Sequence, residues 1–190
     1  MKVVLITGNS LRHFYFVDKF LEINCEINWI IEKDDNQIPQ IETKNPELKK
    51  LFNLHFEKRE KSEKDFFSIN AGNKAKSKIN NIINIKPEDL LSKKLENVIK
   101  KENVDVLISY GCHFIPNNIL NLAKVYKWNI HGGLAPWYKG SATHFWPTYL
   151  LEPEFTGMTI HELNDSIDGG NIIHQTAVNL NKKDGIHDNA

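Results

Sequence analysis

Two short apolar runs near the N-terminus, Lys2–Thr7 and Ile27–Ile31, flank a segment in which Phe14, Val17, Phe20 and Leu21 recur at helical spacing. A Gly8-Asn9-Ser10 turn joins the first run to that segment. Strand, helix and strand in this order make a parallel pair with a right-handed crossover. Parallel sheets are covered on both faces. The opening therefore predicts an α/β chain of Rossmann-like type, with a mostly parallel central sheet and helices on both faces.

The rest of the chain continues the pattern. Residues 34–45 are polar and loop-like, and Pro46 suits an early helix position. Leu48, Leu51, Phe52, His55 and Phe56 then form one apolar face, and the charge run Lys58–Lys64 reads as a solvated helix face. Residues 87–101 predict a helix with Leu91, Leu95 and Val98 on one side. Val104–Ser109 and Val125–Ile130 read as further strands, with a short helix over 116–123 between them. Thr159–Leu163 and Asn171–Val178 read as later strands suited to antiparallel pairing.

A length of 190 residues fits one domain, 1–190, large enough to bury a core. Lys+Arg and Asp+Glu number 24 each, which argues against a large nucleic-acid partner but leaves room for a local cationic cluster that binds a small anion. Cys25 and Cys112 make no disulfide framework, so a reduced, cytoplasmic protein is expected. No apolar stretch suits a signal peptide or a membrane span. There is neither a His-Glu-x-x-His motif nor a Cys-x-x-Cys pair, and no metal is expected. Residues 183–190 read as a turn and the first residues of a helix, so the chain is expected to be the front of a longer protein.

Chemistry concentrates late in the chain. Asn129 and His131 stand at a strand end broken by Gly132-Gly133, and Asp168 lies in Ser166-Ile167-Asp168-Gly169-Gly170. An amide can hold a carbonyl oxygen, an imidazole can move a proton, and a carboxylate can orient the imidazole. Side chains at the C-terminal ends of parallel strands face the crevice where such sheets bind ligands. On residue type alone, the same three could equally cap turns and end a strand.

Asn129-Ile130-His131-Gly132-Gly133-Leu134-Ala135-Pro136, Tyr138-Lys139-Gly140, Thr156-Gly157-Met158-Thr159-Ile160 and Ile167-Asp168-Gly169-Gly170-Asn171-Ile172-Ile173 together resemble the formyltransferases that use 10-formyltetrahydrofolate. The resemblance runs from about Met1 to the chain end and is densest over Val104–Val178. It implies that Asn129, His131 and Asp168 are the catalytic trio, with Asp168 keeping His131 oriented and cationic. It also implies a folate site between two loops, with Ser109, Tyr110, Gly111, Phe114 and Ile115 on one and Asn164 and Ile167 on the other.

The acceptor side is read from residues. Gly8, Asn9, Arg12 and His13 lie between a strand and a helix, where backbone N–H groups and two cationic side chains could bind a phosphate, or where the helix is simply capped and Arg12 exposed. Tyr138 could stack on a sugar or base, Lys139 could meet a phosphate, and Gly140 follows them. Phe145 and Trp146 are expected in the core rather than at the ligand. His131-Gly132-Gly133 and Ala142-Thr143-His144-Phe145-Trp146 resemble the nucleotide-sugar N-formyltransferases in particular. That resemblance implies a dTDP-4-amino-4,6-dideoxyhexose acceptor for bacterial surface polysaccharide (O-antigen, lipopolysaccharide) and a homodimer of the full-length protein. Glycinamide ribonucleotide, methionyl-tRNA and a non-catalytic nucleotide-sugar or folate module are the alternatives.

Overall fold

The computed structural model describes residues 1–33, 42–185 and 187–188. Among the described residues seven strands form one sheet: β1 (Lys2–Thr7), β2 (Glu26–Glu32), β3 (Asn81–Ile85), β4 (Val106–Tyr110), β5 (Tyr126–His131), β6 (Gly157–Glu162) and β7 (Ile172–Ala177). Their order is β3-β2-β1-β4-β5-β6-β7. The first five run parallel, while β6 and β7 each run antiparallel to the neighbour before them. The helices are α1 (Leu11–Phe20), α2 (Pro46–Phe67), α3 (Asn73–Lys78), α4 (Lys93–Glu102) and two single turns, α5 (Asn117–Leu120) and α6 (Trp146–Tyr149).

The period-2 alternation of β1 divides the core. Val4 and Ile6 face one layer with Ile30, Leu107 and, beyond the sheet, Leu95 and Ile99 of α4 and Ile119 of α5. Val3 and Leu5 face the other, with Trp29, Val106, Val17 of α1 and Ala75 of α3. Helices thus cover both faces, as the β-α-β opening requires. Trp29 is fully buried and donates its indole N–H to Thr7 Oγ1 at 2.9 Å, with the Phe14 ring edge-on. We expect Trp29→Ala to cost about 3–5 kcal/mol, read as a lower urea midpoint at unchanged slope. A loss below about 1 kcal/mol would mean that this layer collapses to fill the space.

Several details differ from the sequence reading. β3 and α3 were not anticipated, because Asn81-Ile82-Ile83-Asn84-Ile85 has no clean alternation and six residues of α3 carry no periodic signal. Asp18 of α1 accepts hydrogen bonds from Gly72 and Ala75 N–H at 2.7 Å each, so the start of α3 is capped by another helix. The predicted helix over 87–101 is a 3-10 turn, Pro87–Leu91, followed by α4. The core contact there is Leu90, while Leu91 is 73% exposed. On α2, Leu48 and Leu51 face solvent and no residue is fully buried. Of the polar stretch 34–45, residues 34–41 lie outside the described residues, as do Ile186, Asn189 and Ala190 of the expected C-terminal helix start.

Strand order reverses between β1 and β4, and crevices form outside the carboxyl ends of the strands at such a switch point. The segments after β1, β4 and β5 therefore meet around one opening.

Candidate active site

Asn129 and His131 are two apart on β5 and so share a face of the sheet. The register sets Ser109 of β4 beside Asn129 on one side and His161 of β6 beside it on the other. Ser109 Oγ donates to Asn129 Oδ1 at 2.7 Å, which turns the Asn129 amide N–H group the other way. That group lies 3.2 Å from His161 Nε2 and 3.3 Å from Asp168 Oδ1.

Asp168 arrives from the β6–β7 connection with φ at 44°. Gly170 lets this connection lie against β6, since a Cβ there would overlap the Glu162 carbonyl. The carboxylate is shared. Oδ2 lies 3.4 Å from His131 Nδ1 and accepts from Gly140 N–H at 2.7 Å, while Oδ1 lies 3.3 Å from His161 Nε2. Gly140 reaches it with φ at 83°, a conformation a side chain would strain. Burial opposes ionisation of Asp168, but hydrogen bonds from His161 and Gly140 and the nearby imidazoles outweigh it and hold its pKa below the usual carboxylate value. Burial likewise opposes charge on His161, yet Asp168 and the Glu162 carbonyl raise its pKa.

His131 is buried, and both ring nitrogens face acceptors: Asp168 at Nδ1, and the Tyr138 carbonyl at Nε2, 2.8 Å away. The segment Tyr138–Gly140 therefore clips onto the trio through backbone groups alone.

The trio opens into a cavity of about 900 Å³. All seven residues expected at the folate line it: Ser109, Tyr110, Gly111, Phe114, Ile115, Asn164 and Ile167. Phe114 and Ile167 are largely exposed at its mouth, whereas Ile115 is also part of the core.

The residues expected at the acceptor divide. Arg12, His13 and Gly140 line the cavity, while Gly8, Asn9, Tyr138 and Lys139 are not in its lining. Gly8 N–H donates to the Tyr110 carbonyl. Tyr138 donates its hydroxyl to Glu152 at 2.6 Å, and its ring leans on Phe155. His13 Nδ1 accepts from Ser10 N–H at 3.3 Å, and burial, reinforced by Arg12, drives its pKa well below the usual value. His13 thus caps its helix through Nδ1 while lining the cavity. Arg12 is bound through both Glu63 carboxylate oxygens rather than being exposed.

Three features of the site were missed in the sequence. His161 completes the cluster, and its signal was a histidine in a strand directly before the Asp168 loop. Phe145 and Trp146, expected in the core, line the cavity and are over 40% exposed. Phe52, His55, Phe56 and Arg59 of α2 form a wall of it, so the charge run 58–64 is not simply a solvated face. Cys112 also lines the cavity, but burial pushes its thiol up to about 12, which removes it as a nucleophile near neutral pH. Among the described residues no group of three or more His, Cys, Asp or Glu side chains is placed to hold a metal ion, and no helix is long and apolar enough to cross a membrane.

A family model described as formyl transferase matches residues 29–188, taking in the whole trio. The chain belongs to the formyl transferase family. The methionyl-tRNA formyltransferase of Buchnera aphidicola is 37% identical over 109 residues, covering 56% of this chain and 34% of that protein. The chain thus spans about a third of the length of that relative. Among solved structures, a phosphoribosylglycinamide formyltransferase from Bacillus halodurans has a TM-score of 0.63 at 18% identity, covering 98% of this chain and 84% of its own. A sugar N-formyltransferase from a Shewanella species has a TM-score of 0.54 at 21% identity, covering 98% and 60%. At these identities the solved structures share the formyltransferase fold with this chain.

Proposed function

We propose that this chain transfers a formyl group from 10-formyltetrahydrofolate to the amine of a nucleotide-linked amino sugar, of the dTDP-4-amino-4,6-dideoxyhexose type, for bacterial surface polysaccharide. The carrying observation is the convergence of Asn129, His131 and Asp168 at one end of a cavity of about 900 Å³, large enough for a folate head and a second ligand. The loops after β4 and β6 offer strand-end backbone groups to the pterin edge. The folate brings the formyl group on its N10.

The acceptor amine attacks the formyl carbon and the bond to N10 breaks, with N10 taking a proton. Asn129 Nδ2–H and the His131 ring N–H stabilise the charge that grows on the formyl oxygen. Asp168, through water, accepts the proton that the amine gives up. No covalent enzyme intermediate is needed. Because Tyr138 O occupies His131 Nε2, that nitrogen reaches the formyl oxygen only by exchanging one acceptor for the other.

The test is incubation with 10-formyltetrahydrofolate and dTDP-4-amino-4,6-dideoxyglucose, followed by mass spectrometry of the sugar nucleotide. A formyl adduct is expected. No adduct, with formylation of glycinamide ribonucleotide or methionyl-tRNA under the same conditions, would overturn the acceptor assignment. The second reading, a tRNA-borne amine, is favoured by the name of the relative at 37% identity. It predicts tight, salt-sensitive retention of tRNA on filters, which the balanced charge of this chain opposes.

A further inference from the structure

Arg59 is the unexplained charge of the cavity. It sits mid-way along α2, half-buried, with its guanidinium over the Phe56 ring at 6.0 Å. Its neighbour Arg12 is neutralised by the two-oxygen bond to Glu63, with Nη1 to Oε2 at 3.0 Å. No carboxylate among the described residues lies within ion-pair distance of Arg59. Glu63, one turn further along α2, attracts Arg59 only from beyond that distance, while burial and Arg12 disfavour its charge, and a ligand anion would offset that cost.

The surroundings point the same way. Burial, with Arg12 and Arg59 adding to it, lowers the pKa of His144 to about 4, and burial also lowers that of His187. These rings are neutral hydrogen-bonding groups, so the positive charge of this end of the cavity is Arg59 itself. His144 Nδ1 is buried and has no hydrogen-bond partner among the described residues. Opposite α2, the Phe145 ring meets His55 at 6.1 Å, and both line the same cavity as Arg59.

We propose that Arg59, packed beside the Arg12–Glu63 pair, binds the phosphoryl oxygens of the acceptor and so selects a phosphate-bearing, nucleotide-linked amine. A guanidinium presents a planar fork that matches two phosphoryl oxygens. The inference rests on the reading of the acceptor given above. The same fork also matches the glutamate carboxylates of a folate, and the test separates the two sources.

Binding of dTDP, inorganic pyrophosphate, folate and pteroic acid, which lacks the glutamate, is measured by calorimetry on wild type, Arg59→Gln and Arg59→Lys. Arg59→Gln is expected to weaken dTDP and pyrophosphate by about 10- to 100-fold, with Arg59→Lys recovering part of the loss and folate within about twofold of wild type. Unchanged melting temperatures show that the effect is not unfolding, and were Arg59→Gln to unfold, the fork-specific loss in Arg59→Lys carries the test. Equal dTDP and pyrophosphate affinity in wild type and both variants overturns the proposal. So does failure of wild type to bind either anion, or a loss confined to folate and absent for pteroic acid. Arg59-dependent pyrophosphate binding in a protein that ignores dTDP would keep the anion site and sink the nucleotide-sugar reading. Formylation of the sugar nucleotide with Arg59→Gln binding unchanged would do the reverse.

Discussion

His131→Ala is expected to slow formyl transfer by about three orders of magnitude, with KM for the folate changing only a few-fold. The reason is positional. His131 closes β5, where it is buried, and it is tied to Asp168 at one nitrogen and to the Tyr138 carbonyl at the other. Those contacts fix the ring against the point where the Asn129 amide also arrives. Alanine removes a donor that matters most when charge sits on the formyl oxygen, so the loss falls on kcat. The folate loops and the Ser109–Asn129 hydrogen bond do not depend on the ring, and folate binding by calorimetry should survive. Near-normal turnover with an unchanged melting temperature would remove His131 from the mechanism.

The trio was legible through the family resemblance of the motifs around it, since by residue type alone Asn129, His131 and Asp168 could equally cap turns and end a strand; the fold brings the three side chains together. The central strands were legible in themselves: fully buried parallel strands such as Val3-Val4-Leu5-Ile6 read as unbroken apolar runs. What escaped is what tertiary packing alone decides. His161 joins the cluster only because antiparallel β6 sets it opposite Asn129. Arg59 and Glu63 look like any solvated charges until α2 lies against α1 and Arg12 takes Glu63. Phe145 and Trp146 have the composition of core and the exposure of a binding wall. For Tyr138 the side chain suggested a stacking platform, while the contacts the fold makes are the phenol to Glu152 and the backbone carbonyl to His131.

Asp168→Asn is expected to match the rate loss of His131→Ala, and the double variant to be little slower than either alone, because residues acting as one unit lose their function together. Asn keeps the shape and an acceptor for Gly140 N–H, but it loses the charge that the two imidazoles share. The charge also leaves a mark on stability. The Asp168 pKa is depressed, so its contribution is present above the ordinary carboxylate value and disappears as pH falls through the depressed one. The His161 pKa is raised, so its contribution is full below the ordinary imidazole value and disappears as pH rises through the raised one. Both hold together between about pH 4 and about pH 6.5. The melting-temperature gap between wild type and Asp168→Asn should therefore be widest in that window and narrow on both sides. A gap independent of pH would mean that Asp168 acts through shape and the Gly140 contact, not as the counter-ion of His161. A double variant slower by the product of the single losses would mean that His131 and Asp168 act separately, which their 3.4 Å contact argues against.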